Sequence, residues 1–327
     1  MAKRWYQNAV EILFEPIVRT SMSETVSKTS MNSVTLHSVP PAIPQAVEGL
    51  LSYRVAILVT AVLLVSGCIH LALFLILGAS WEGPLSPRKP ALFGISGAMT
   101  TLSLAWLMTQ LEPKKFDRVL INSLAIALLI EVALITMQYW RGVASHFNNS
   151  TLFDTAIELA MLVLILFVTG GIFYLTWRTF QLRAIEPAMA IAIRGGMLLL
   201  AISCLLGIAT SVLGEVSLAK GQSSEVWRKA GVLKFPHGVA LHAIQLLPIL
   251  AWIARRLGLS HPVRVMQSAL AAQVVFMIYA VWQTSLGRDR FDWDAIGGSI
   301  LAIAILLSLY PAFELGRGYF SFVRQKR

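Results

Sequence analysis

Charge is scarce in this chain. Asp, Glu, Lys and Arg make up 13% of its 327 residues, against 56% hydrophobic residues and a mean hydropathy of +0.69. A water-soluble chain of this length must clothe a large polar surface. The composition therefore excludes an ordinary soluble fold and points to lipid as the surrounding medium. Cysteine is nearly absent: Cys68 and Cys204, both in apolar runs, are too few for a disulfide framework and read as packing residues. Motifs that carry nucleotide or hydrolytic chemistry are missing too, with no P-loop, no GxGxxG after a strand, no Ser-centred nucleophile elbow and no HExxH. The net charge of +10 does not indicate nucleic acid, because the basic residues are scattered over short segments between apolar runs.

Long apolar runs are what the chain has in abundance. Stretches at about 55–79, 90–111, 118–140, 152–177, 188–214, 236–257, 264–286 and 294–316 each reach the roughly 20 residues that a membrane-crossing helix needs. The expectation is an all-α integral membrane protein of eight transmembrane helices, a bundle over 54–317 with a basic tail over 318–327. Pro90 and Pro236 stand in the first turns of the second and sixth runs, where a missing N–H costs nothing. Trp140, Trp177 and Trp282 fall near run ends, where an amphipathic ring prefers the interface. No cleavable signal precedes the first run. Residues 1–20 repeat polar side chains at helical steps and read as an amphipathic helix lying in the interface. Residues 21–53, rich in Ser, Thr and Pro, read as a flexible linker, and Met22 or Met31 is an equally good start for translation.

Orientation follows from Lys and Arg. With both termini in the cytoplasm, 17 basic residues fall on inner segments against nine on outer loops. A short internal echo accompanies this pattern. PRKPALFG enters the second run and LKFPHGVA the sixth, while FDTAI opens the fourth and WDAI the eighth. The offset of four runs suggests two parallel four-helix halves.

Polar groups inside hydrocarbon cost several kcal/mol unless they face the bundle interior. His70, Glu131, Gln138, Glu158, His242 and Gln245 all fall in the expected outer third, and together suggest a polar pocket opening outward. Arg88, Arg141, His146 and His237 would sit at its mouth and attract a small anionic ligand. His70 and His242 lie at similar depths, roughly 13 and 9 Å, and form a candidate pair of axial ligands for a b-type haem. Glu131 and Glu158 are candidates for a proton relay in a carrier for a small or anionic solute. Against transport stands the unbroken look of all eight runs. A metal-dependent membrane enzyme is the third reading, weakened because His237 and His242 diverge by about 140° on an unbroken helix. The bilayer is the expected partner, and nothing here specifies an oligomeric state.

Overall fold

The computed structural model describes residues 49–50, 52–78, 83, 85–183, 185–224 and 226–325. The expected interfacial helix and nearly all of the linker lie outside the described residues. The helices are α1 (Arg54–Leu77), α2 (Arg88–Met108), α3 (Asp117–Trp140), α4 (Leu152–Thr179), α5 (Pro187–Ala219), α6 (Lys234–Leu241), α7 (Ala243–Arg256), α8 (Pro262–Ser285) and α9 (Ala295–Gln325). A two-residue hairpin of β1 (Val226–Trp227) on β2 (Ala230–Gly231) decorates the loop after α5. Among the described residues eight units are long and apolar enough to cross a membrane, with α6 and α7 together forming the sixth. The protein is an all-α integral membrane protein. Span edges fall within a few residues of expectation except in α5, which continues to Ala219, and α9, which takes in the expected tail as far as Gln325.

The outward faces are apolar. Leu58, Val62, Val65 and Ile69 on α1, and Ile305, Leu306, Leu309 and Phe313 on α9, are exposed at three- and four-residue spacing. Only hydrocarbon rewards such a stripe, so these faces contact the bilayer. Inward, Leu63, Leu104, Leu124, Ile172, Ile193 and Leu200 are almost fully buried and belong to one core cluster drawn from the first six spans.

Packing follows a pattern that repeats. Helix α1 packs on α2, α2 on α3, α3 on α4, and α1 on α3; likewise α5 packs on α6 and α7, these on α8, α8 on α9, and α5 on α8. Helices α3 and α8 have the same length of 24 residues, which pairs Asp117 with Pro262 and Gln138 with Gln283. Matching Pro90 to Pro236 pairs Ser96 with His242, and these two residues approach each other, Oγ to Nε2, at 3.5 Å. The contact pattern of the first four spans thus recurs in the last four, as two four-helix halves would give.

Each half opens on a close pair. A Cβ on Gly67 of α1 would lie 2.7 Å from the Ile95 backbone nitrogen of α2, and one on Gly94 would lie 2.8 Å from Gly67 Cα. In the second half a Cβ on Gly196 of α5 would lie 2.8 Å from Ile244 Cα of α7. In lipid, helix association depends on such contact rather than on expelled water. Gly67→Leu is expected to force α1 from α2 and cost about 1–3 kcal/mol. Thermal unfolding in detergent, followed by tryptophan fluorescence, checks this; an unchanged midpoint would show that the pair is not tightly held.

Candidate functional site

The end of the bundle bearing Arg141 holds two related clamps. In the first half Thr151 caps α4, accepting from the Asp154 backbone N–H at 3.1 Å and donating its hydroxyl to Asp154 Oδ2 at 2.6 Å. Gln138, at the end of α3, donates to Asp154 Oδ1 at 3.1 Å, and Arg141 donates to the same oxygen at 2.7 Å and also to Gln138 Oε1. The Arg141 guanidinium lies 4.7 Å from the Phe153 ring centre. In the second half Asp294 caps α9, accepting from the Ile296 and Gly297 N–H groups at 3.1 and 3.0 Å, while the Trp282 indole at 3.3 Å and Arg288 donate to its other oxygen. The Gly297 amide foremost, with Trp282 and Arg288, holds the Asp294 carboxyl below the usual carboxylate range.

Beside the first clamp the loop after α3 folds inward. Phe147 adopts a left-handed φ of 60°, and its N–H is held by Glu158 Oε2 at 3.1 Å. Ser145 Oγ and His146 Nδ1 are 3.0 Å apart, and the His146 ring lies 6.0 Å from Phe93. Glu158 and His146 thus share a corner. Arg88, at the start of α2, is half-buried near this end.

His70 is spoken for on both sides. Its Nδ1 lies 2.8 Å from the Ser66 carbonyl, which only accepts, so Nδ1 carries the proton. Its Nε2 then accepts from the Trp140 indole at 3.1 Å. Glu131 presents the opposite case. It is 5% exposed in the middle of α3, and its Oε2 is fully buried with no hydrogen-bond partner.

The third group lies at the junction of the halves, and it corrects the expectation of unbroken spans. The sixth span lapses at His242, where φ and ψ of −94° and 8° separate α6 from α7. In the last turn before the break, Gln273 of α8 donates to the Val239 carbonyl at 2.7 Å. His242 Nδ1 faces Gln245 Oε1 at 3.3 Å and its Nε2 faces Ser96. That turns the amide nitrogen of Gln245 away, and it is buried without a partner. His237, expected at a mouth, instead locks α6 to α5: its Nδ1 lies 2.8 Å from the Ser203 carbonyl, and Ser203 Oγ donates to the His237 carbonyl at 2.9 Å.

The structure therefore gathers Gln138 with Arg141 and His242 with Gln245, sets Glu158 on the Phe147 N–H one residue from His146, and leaves His70 and Glu131 in separate settings. The two histidines named as a haem pair have different partners on different helices. Among the described residues no three His, Cys, Asp or Glu side chains are placed as a metal-ligand set. Sequence reasoning missed Ser96, Ser203 and a buried ion pair at the opposite end. There Arg178 of α4, 2% exposed, donates to Asp117 of α3 and, at 2.5 Å, to the Glu112 carbonyl. The only signal was an acid opening one run and a base closing the next. Comparison with protein-family models, curated proteins and solved structures yields no match for this chain.

Two outcomes follow from these ion pairs. Asp117→Ala strands the Arg178 charge and is expected to cost about 3–5 kcal/mol, whereas Asp117→Leu with Arg178→Met costs less, as paired denaturation midpoints would reveal. Asp294 is held below its unfolded value of about 4, so its contribution is complete above that pH and is lost as pH falls through the folded value. Asp294→Asn keeps a capping oxygen but no charge. Between about pH 5 and 3 its thermal midpoint should fall less steeply than that of the natural protein; equal slopes would mean that the Asp294 charge adds nothing.

Proposed function

We propose that this protein is a proton-coupled carrier for a small anionic solute, bound where α2 meets the α6–α7 junction. The observation that carries this reading is the interruption of the sixth span at His242, where it meets Ser96 of α2, beside the unpartnered amide nitrogen of Gln245. In carriers built from repeats, solutes bind where the halves meet and where a helix is discontinuous. A buried amide N–H without an acceptor costs about 1–3 kcal/mol. A solute oxygen supplies that acceptor, with the Ser96 hydroxyl and the His242 ring at hand as neighbours.

Glu131 is the proposed coupling group. Burying an ionised carboxylate without a partner costs several kcal/mol, so a proton or cation has to accompany it. Two halves rocking against one another would expose the junction to each side in turn. The excess of Lys and Arg on inner segments supports termini on the cytoplasmic face. The haem reading has less support, because ligation through His70 Nε2 would first have to break the Trp140 hydrogen bond.

The test is proton movement in vesicles holding the purified protein and a pH-sensitive dye, challenged with lactate, succinate, sulfate and phosphate in turn. One of these is expected to drive proton uptake. Glu131→Gln should abolish the proton signal, and Gln245→Ala should raise the half-saturating concentration about 5- to 100-fold. Four inert solutes, or a proton signal untouched by Glu131→Gln, would remove the proposal. A near-stoichiometric Soret band lost in His242→Ala would replace it with the redox reading.

A further inference from the structure

The strongest unassigned feature lies at the Arg178 end of the second half. Gly258, in the left-handed region at φ 63°, turns the chain after α7, and the loop it begins leans on the last turns of α9. Between them lies a cavity of about 330 Å³, lined by Gly258, Ser260, Arg317, Gly318, Ser321 and Phe322 among others. Arg317 stands in its wall, and four further arginines lie close by in sequence. Arg255 and Arg256 end α7, Arg264 lies in the first turn of α8, and Arg317 and Arg324 lie on α9. One carboxylate, Glu314, answers them, bonded to Arg317 at 2.8 Å. Among the described residues the other four arginines have no ion-pair partner, and all are exposed.

The first half shows what such a place looks like when the protein fills it. Matching Asp154 to Asp294 sets Arg178 against Gly318, next to Arg317. Arg178 is buried against Asp117 and a loop carbonyl. The partner of Asp117 in the second half is Pro262, which has no charge to offer. Where the first half has an internal anion, the second has space, with Arg317 in its wall paired to Glu314 and four exposed arginines nearby in sequence. Ile249 and Trp252 on α7 and Phe313 and Phe320 on α9 are exposed apolar side chains suited to lipid.

We propose that this cavity binds the phosphate group of an anionic phospholipid, with its acyl chains along the apolar flank of α7 and α9. Arginine holds phosphate through two parallel bonds, and basic pockets between spans suit lipid headgroups. Ser260 and Ser321 add hydroxyl donors at the cavity wall. The proposal is independent of the carrier reading.

Native mass spectrometry of the full-length protein tests it, with dioleoyl phosphatidylglycerol, dioleoyl phosphatidylcholine and inorganic phosphate as probes. Phosphatidylglycerol should be retained roughly tenfold more than phosphatidylcholine. Each arginine removed should weaken retention about fivefold, so Arg255→Ala with Arg317→Ala should abolish most of the selectivity. Arg317→Lys, which keeps charge and folding but loses the bidentate fork, should give an intermediate loss. Lys220→Ala at the other end should change nothing. Equal retention of the two lipids, or full selectivity in the double variant, overturns the proposal. Displacement of phosphatidylglycerol by equimolar phosphate also overturns it, in favour of a site for the free anion.

Discussion

Hydrocarbon offers no hydrogen bonds, and the rest of the structure depends on that constraint. Backbone groups answer it by forming helices, and polar side chains answer it by finding one another across helices. Thr60, Ser103, Thr176, Thr210 and Ser308 return their hydroxyls to carbonyls within their own helix. Others reach across: Ser268 ties α8 to α9, Gln273 ties α8 to α6, and Arg194 returns from α5 to the Thr179 carbonyl at the end of α4. These bonds are the permanent fabric of the bundle. Against them, the few buried atoms without partners stand out, because each carries a cost that the fold has not cancelled.

That contrast separates structural polarity from candidate chemistry. Asp154 and Asp294 look alike in sequence to Glu131, as acids at or within apolar runs. In space they are fully engaged, each by an arginine and by hydrogen bonds that fasten one span to the next. Glu131 Oε2 has no such company, and neither does the Gln245 amide nitrogen. The proposed chemistry rests on the groups that remain unspent.

Hydropathy alone made the spans legible, because eight runs of roughly 20 apolar residues have no other stable fate in water or lipid. The echo of PRKPALFG in LKFPHGVA and of FDTAI in WDAI was also readable, and it marks positions that the contact pattern repeats. Partners were not readable. Gln138 shares a helical face with Glu131, yet it bonds Asp154, because the choice lies with a loop whose path no periodicity records. His237 and His242 already diverge by about 140° on an unbroken helix, and with the span broken at His242 they reach different helices, α5 and α2. Nothing local announces that break. Pro248, the residue best able to interrupt a helix, sits inside α7, and the lapse comes earlier, where α8 offers Gln273 to an earlier carbonyl.

The buried Arg178–Asp117 pair gives the two halves unequal footing at one end of the molecule. In the first half the loop from α2 to α3 is nailed to α4 through a guanidinium that bridges a side chain and a carbonyl. In the second half the corresponding corner rests on Gly318 against Leu259, a contact of methyl groups and bare backbone. The two corners therefore differ in stiffness: a buried ion pair resists displacement at the first, and a contact of side-chain methyls on bare backbone yields more readily at the second.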